Sequence, residues 1–221
     1  MRSVPGMDED VIYYLIGREV LVPTKRAANI AEYRFRVNSS RLERLEPLPT
    51  KAANDQWDIL ATYPPGMGFE KIKDVKVLYP DLCRLAIASK REICIVNPFF
   101  DYRGRRKLLP YLVSAAKRGV RIRMVSRTQG LDVSDQLQSF ITPLLRIGAN
   151  VETRTFGVGP DYGLHAKFII SDGETAYLGS ANLTGRSLSK NVETGVLMKG
   201  KGARILKSFF DHLWKTSRTN G

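Results

Sequence analysis

The sequence predicts an α/β protein: a mixed, mostly parallel sheet flanked by helices on both faces, preceded by a small helical unit. Three observations carry this. From residue 57 onward, short β-branched runs alternate with longer amphipathic stretches, the order that builds a sheet between helical layers. Gly119 and Gly148 each close a helical stretch directly before an apolar run, and glycine suits the position after a helix. The chain of 221 residues is also long enough to bury one domain of about 150 residues and an accessory unit besides.

Residues 1–50 are read as the accessory unit and 51–221 as the main domain. Within the first, 8–19 is a predicted helix, Val20-Leu21-Val22-Pro23 a connection, and 24–35 a second helix with Thr24 as N-cap. Asn38-Ser39-Ser40 precedes a third short helix at 41–45. Such an arrangement resembles a helix-turn-helix unit. Its near-neutral charge points instead to dimer contact, partner docking or modest DNA contact. Pro47 and Pro49 mark 45–50 as a linker.

In the main domain, 57–63 is a predicted strand stopped by Pro64-Pro65-Gly66. Residues 80–90 form a helix with Pro80 in its first turn, where the missing N–H costs nothing. Strand 93–97, helix 108–118, strand 120–126, helix 135–147 and strand 151–155 follow. Strands 164–171 and 176–179 are joined by Asp172-Gly173, a hairpin signal. Strand 192–198 completes the sheet. Helix 203–215 spaces Ile205, Leu206, Phe209, Phe210, Leu213 and Trp214 along one face. The glycine-rich 157–163 is followed by no helix, so it reads as a mobile connection at the mouth of the site and not as a phosphate loop.

The chemistry concentrates in 165–182. In a strand, residues i and i+2 share a face, so His165 and Lys167 point the same way. The hairpin returns its second strand towards Ser180 and Asn182. Imidazole attacks phosphorus near neutral pH because a useful fraction is unprotonated. An ammonium and an amide N–H hold the phosphodiester oxygens through the transition state, roles that fit Lys167 and Asn182. Ser180 adds a hydrogen bond, and Glu193 on the next strand is placed to accept from the imidazole and fix its tautomer. The other histidine, His212, sits among aromatic and aliphatic residues and reads as a packing or surface residue.

His165-x-Lys167 followed by Asp172, then Gly179-Ser180-x-Asn182 and Glu193, resembles the HKD signature of the phospholipase D superfamily. The likeness runs from about residue 57 to 214 and implies a phospholipase-D-like half-domain. It also implies a covalent phosphohistidine on one histidine, protonation of the leaving oxygen by the histidine of a second motif, no metal and no other cofactor, and a structural role for Asp172. The chain holds one such motif. A histidine bonded to phosphorus cannot also protonate the departing oxygen, so a second copy must supply the acid. The expectation is an obligate homodimer with a shared site, C2 being the commonest symmetry.

Charge selects among substrates. Residues 1–77 hold 12 Lys/Arg against 11 Asp/Glu, whereas 78–221 hold 23 against 11, so nearly all of the net charge of +13 lies in the main domain. A polyanion with regularly spaced phosphates is the natural partner of such a surface. Arg103, Arg105, Arg106 and Lys107 are placed on a strand-to-helix loop, Arg127 at the end of the next strand, and Arg186 and Lys190 just after Asn182; all seven are candidate nucleic-acid contacts. Tyr102 and Phe156 are read as packing residues before stacking platforms.

The resulting expectation is a metal-independent nuclease acting on DNA first and RNA second, similar to small single-motif nucleases of restriction and anti-phage systems. The stretch Thr62-Tyr63-Pro64-Pro65-Gly66 ahead of a helix is similar to proteins of the DISARM defence group, and a site held inactive until a helicase or translocase partner engages is a further expectation. Two rivals stay open: a lipid phosphodiesterase of the same superfamily, and a DNA-binding subunit that needs a partner for activity. No run of about 20 apolar residues is present to span a bilayer, and the first residues lack a signal-peptide core, so a cytoplasmic protein is expected. Cys83 and Cys94 lack metal-ligand spacing and read as reduced core thiols.

Overall fold

The computed structural model describes residues 12, 15–16, 19–25, 33–42, 56–66, 68–127, 131–157 and 163–219, with only the helical backbone of 42 and 131–135. The chain divides into two compact units, Met1–Ala53 and Asn54–Gly221.

In the first unit, Ile12, Leu15 and Ile16 are helical, within the predicted helix 8–19. The predicted helix 24–35 is not formed in its described parts. Strands β1 (Leu21–Lys25) and β2 (Arg34–Val37) pair there as an antiparallel ribbon, with Leu21 opposite Val37. The reason lies in the alternation Tyr33-Arg34-Phe35-Arg36-Val37, a period of two that suits a half-buried strand. The Tyr33 and Phe35 rings on that shared side have centroids 5.9 Å apart. A short helical turn follows at Ser39–Leu42, where 41–45 was expected. Residues 43–50, which hold the predicted linker, lie outside the described residues.

The second unit is built on a nine-stranded sheet. Its strands are β3 (Trp57–Thr62), β4 (Val75–Val77), β5 (Glu92–Val96), β6 (Arg121–Arg127), β7 (Val151–Phe156), β8 (Phe168–Ser171), β9 (Thr175–Gly179), β10 (Glu193–Lys199) and β11 (Arg218–Thr219). They lie in the order β11-β7-β6-β5-β8-β9-β10-β3-β4. Its helices are α1 (Leu78–Ala88), α2 (Tyr102–Lys117), α3 (Leu131–Arg146) and α4 (Lys201–Thr216). The sheet is mixed as predicted, but parallel ladders are the minority. Among the described residues β3/β4, β5/β6 and β6/β7 are parallel, and the other five ladders are antiparallel. Parallel neighbours joined through a helix need a long crossover. Here α2 and α3 supply those between β5, β6 and β7, whereas the β8–β9 hairpin enters against β5.

Strand β5 shows why both faces are covered. Ile93 and Ile95 join a core with Leu82 and Leu85 of α1, Leu108 and Leu112 of α2, and Phe140 and Leu144 of α3. Cys94 and Val96 point the other way, to Phe210, Leu213 and Trp214 of α4. Strand β5 is therefore an apolar run buried on both sides. Cys83 and Cys94 are free and buried, and burial pushes the Cys94 thiol up to about 12. Inside the α4 layer, Arg123 donates to Glu92 at 2.7 Å and Asp211 at 3.3 Å while lying over the Phe210 and Trp214 rings.

Helix bounds differ where capping was unread. Helix α2 begins at Tyr102, six residues before the predicted start, because Asp101 caps it: its side chain accepts from the Gly104 N–H at 2.6 Å. Arg103, Arg105, Arg106 and Lys107 are therefore in the first turns of a helix and not on a loop. Helix α3 likewise starts at Leu131. The strand expected at 164–171 begins only at Phe168, leaving His165 and Lys167 in the extended segment before it. Gly157 and Gly163 form a bridge across the glycine-rich connection, whose residues 158–162 lie outside the described residues.

Candidate active site

The segment carrying His165 and Lys167 is fixed by its backbone, since the Lys167 carbonyl accepts from the Gly179 N–H at 3.1 Å. Lys167 is buried at 5 % exposure while His165 is exposed. The Lys167 Nζ lies 3.2 Å from His165 Nε2 and donates to the His165 carbonyl at 2.7 Å. The two side chains thus share one side, as the spacing predicted, although no ladder enforces it. Burial lowers the Lys167 pKa below the ordinary lysine value, and the nearby Glu193 charge opposes the shift.

The hairpin behind this segment is held at its far end. Asp172 and Gly173 both have positive φ, 55° and 75°, as a tight hairpin turn requires. The Asp172 carboxylate accepts from the main-chain N–H groups of Lys90, Arg91 and Glu92 at 2.9, 2.8 and 2.9 Å. Burial raises its pKa, but these bonds and Arg91 outweigh that and hold the carboxyl below its ordinary value. Asp172 is bonded to the start of β5 and has no contact with the His165 cluster among its hydrogen bonds.

At the near end, Ser180 donates to Glu193 Oε2 at 2.5 Å, and the Thr194 N–H donates to Ser180 Oγ at 3.1 Å. Asn191 donates to Glu193 Oε1 at 3.3 Å. Glu193 therefore spends both oxygens on Ser180 and Asn191, and the predicted bond to the His165 imidazole is absent among the described contacts of the single chain. Asn182 lies on the loop after β9, and its buried Oδ1 has no hydrogen-bond partner among the described residues. That loop is tied down on both sides: the Leu183 N–H donates to Asn97 Oδ1 at 3.3 Å, and the Gly185 N–H to Asp101 Oδ1 at 2.9 Å. Tyr177, fully buried beneath it, accepts from the Ala181 N–H at 3.4 Å.

Sequence reasoning missed Asp101, Asn97, Tyr177 and Asn191. Only Asp101 left a local trace, an N-cap residue three positions before Gly104. Of the seven predicted basic contacts, five come together around one depression of about 430 Å³: Arg103, Arg106, Lys107, Arg186 and Lys190. Arg105 turns away and donates to the Ser139 carbonyl at 2.7 Å, and the Arg127 guanidinium lies 4.0 Å over the Phe99 ring. Phe156 packs on the α4 core, as a packing residue should. His212 is exposed on α4. Among the described residues, no group of three His, Cys, Asp or Glu side chains is placed to hold a metal ion, and no helix is long and apolar enough to cross a membrane.

Comparison with known proteins fits this geometry. Residues 82–214 match the family described as cardiolipin synthase, PLD-like domain. Cardiolipin synthase 1 of Bacillus cereus is 31 % identical over 146 residues, 65 % of this chain and 28 % of its own length. The 5′-3′ exonuclease PLD3 of Bos taurus is 37 % identical over 116 residues, 49 % of this chain and 22 % of its own. The chain thus spans about a quarter of the length of these relatives. In fold it is similar to Nuc from Salmonella typhimurium, described as a phospholipase D family member, with a TM-score of 0.58 at 20 % identity over 76 % of this chain and 99 % of that one. NucT from Helicobacter pylori gives 0.58 at 13 % identity, covering 76 % and 100 %. With more than half of its residues inside the family match, and with the fold of Nuc, this chain belongs to the phospholipase D superfamily as a PLD-like domain protein.

Proposed function

We propose that the protein is a metal-independent phosphodiesterase that cleaves nucleic acid, DNA before RNA, through a covalent phosphohistidine. The observation that carries this reading is the exposed His165 Nε2 set 3.2 Å from a buried lysine ammonium. The imidazole lone pair attacks phosphorus, a P–N bond forms, and the P–O bond to the leaving oxygen breaks. Lys167 releases Nε2 and turns to the non-bridging oxygens, joined by the Asn182 amide. Ser180 and Glu193 fix the end of β9 and keep a negative charge near Lys167. Water then hydrolyses the P–N bond and frees His165.

The leaving oxygen needs a proton from a second acid, which we assign to the partner's His165 in a homodimer. Exposed apolar side chains on the sheet and α4, among them Leu178, Trp57 and Phe209, give such a copy a face to cover. Nucleic acid is favoured over lipid by the charge of residues 78–221 and by the clustering of five cations after Asn182 and along α2. The names of the relatives include both a lipid synthase and an exonuclease, so the lipid reading is tested in the same experiment. A cytoplasmic site of action and a helicase or translocase partner of a defence system are further proposals that rest on the sequence alone.

The test is cleavage of labelled single- and double-stranded DNA and RNA in excess EDTA, by wild type and His165→Ala, beside hydrolysis of cardiolipin vesicles. EDTA-resistant strand cutting that the variant loses is the expected result. Turnover of the vesicles alone moves the lipid reading to the front. Tight, salt-sensitive binding without cutting by either protein identifies a DNA-binding subunit. A monomer by light scattering at micromolar concentration removes the shared site.

A further inference from the structure

The basic depression that follows Asn182 along the chain gathers more cations than any single side-chain partner balances. Its five cations come from two elements: Arg103, Arg106 and Lys107 from α2, Arg186 and Lys190 from the segment after Asn182. Among the described residues no aspartate or glutamate lines it, the Asp101 carboxylate lying behind it on the Gly104 and Gly185 N–H groups. Elsewhere Arg84, Arg121, Arg123, Arg204 and Lys207 are each paired with a carboxylate, whereas none of these five is in an ion pair among the described residues. Five like charges gathered without counter-charges cost stability through mutual repulsion, and an anion relieves it.

The depression is also built on rigid supports. Asp101 Oδ1 accepts from both the Gly104 and Gly185 N–H groups, so one carboxylate oxygen joins the start of α2 to the loop. Gly185 has no room for a side chain because Arg103 Cβ and its neighbouring methylenes fill that space. The Tyr79 ring forms part of the wall, with the Lys107 ammonium 4.5 Å above its centre. Tyr79 in turn donates its hydroxyl to the Lys107 carbonyl at 3.1 Å. Gly185 is three residues beyond Asn182, so the two lie within about 10 Å along the chain. An anion held here is a near neighbour of one held by Lys167 and Asn182.

We propose that this depression is a second phosphate subsite, which takes a non-scissile phosphate of the same polynucleotide strand and makes the protein favour substrates with more than one backbone phosphate. The proposal rests on the nuclease reading. It adds length selectivity: an isolated diester fills only the His165 cluster, and a strand fills both. Its volume of about 430 Å³ exceeds what one phosphate needs and has room for part of the attached sugar.

The experiment compares a dinucleoside monophosphate with the same compound carrying a 5′- or 3′-terminal phosphate, binding to His165→Asn protein so that no turnover intervenes. A terminal phosphate on one end should tighten binding tenfold or more. In Arg103→Ala/Arg106→Ala/Arg186→Ala on the same background that gain should fall below twofold, and the salt dependence of 12-mer binding should weaken by about 0.7 in log–log slope per lost contact. All three side chains are exposed, and the Arg186→Ala/Lys190→Ala pair repeats the test should the triple variant unfold. An equal gain in wild-type and variant backgrounds overturns the subsite. Retention of cardiolipin vesicles through the same arginines, with no dinucleotide binding, overturns the nucleotide assignment. The two layers separate cleanly: a lost gain with no strand cleavage by the His165 protein refutes the nuclease reading alone, and strand cleavage with a persistent gain refutes the subsite alone.

Discussion

Gly104 sits where α2 meets the loop that follows Asn182, and adding one methyl group there tests how tightly the two are coupled. A Cβ at Gly104 would lie 2.6 Å from the Leu183 carbonyl carbon and 2.9 Å from Thr184 Cα, and closer still to the Leu183 oxygen. Ordinary contact begins near 3.4 Å, so the two backbones must part by about 0.8 Å or more, and neither is a flexible side-chain end. The same residue donates its N–H to Asp101 at 2.6 Å, which resists the separation. Overpacking of this kind costs about 1–3 kcal/mol, offset by at most about 1 kcal/mol from the better helix propensity of alanine. At about 2–4 °C per kcal/mol for a chain of this size, Gly104→Ala should lower Tm by several degrees. The larger effect should fall on turnover. Leu183 adjoins Asn182, and a displacement of about 1 Å at a reacting group costs on the order of 100-fold. Thermal unfolding by circular dichroism and hydrolysis of bis(p-nitrophenyl) phosphate in EDTA read the two effects separately. A variant with unchanged Tm and turnover within twofold of wild type refutes the coupling.

Three further outcomes follow from the same contacts. Asp172→Asn keeps a side chain that tolerates positive φ but removes the charge and turns an NH2 towards at least one of the three N–H donors, so it should lose about 2–3 kcal/mol near neutral pH. A folded pKa held below the ordinary carboxylate value contributes stability above about pH 4 and loses it as the pH falls through the folded value, so the Tm gap to wild type should close in acid and a pH-independent gap contradicts the account. Lys167, its pKa lowered mainly by burial, should give turnover an alkaline limb below the ordinary lysine value of 10.5; Glu193→Gln, removing the charge that opposes this, should move the limb lower, and a pH–rate profile with an unshifted limb counts against it. Arg123→Met leaves Glu92 and Asp211 with Lys207 as their remaining close cation and should cost about 2–4 kcal/mol in urea unfolding; an unchanged midpoint would mean the aromatic packing alone holds this layer.

What the sequence made legible was local. His165 and Lys167 lie two apart in an extended segment, and the Asp172-Gly173 turn returns the chain after a few residues, so extended-chain geometry and one tight turn are enough to bring the segment beside the end of β9. Glu193 was found as a residue but not in its partner: the imidazole was expected, and Ser180 and Asn191 take both oxygens, because the register of β10 against β9 decides which side chain it meets. Asp101 and Asn97 stayed hidden since each binds a segment more than eighty residues away. In residues 24–35 an amphipathic pattern competed with β alternation, and the pairing of β1 with β2 settled it in a way no single segment encodes. Of the seven basic residues five gather at one depression; the four expected on a loop lie in the helix that Asp101 caps, where Arg105 bonds the Ser139 carbonyl and leaves the group.

The turn at Asp172 grips its neighbour chiefly through main-chain N–H groups at 90–92, with one side chain added: the Arg91 guanidinium donates to the Asp172 carbonyl at 2.8 Å. The side chains of Lys90 and Glu92 are therefore not needed to hold the hairpin, and Glu92 is free to serve the charge cluster around Arg123. Only proline is barred from the three positions, since it alone lacks the donor.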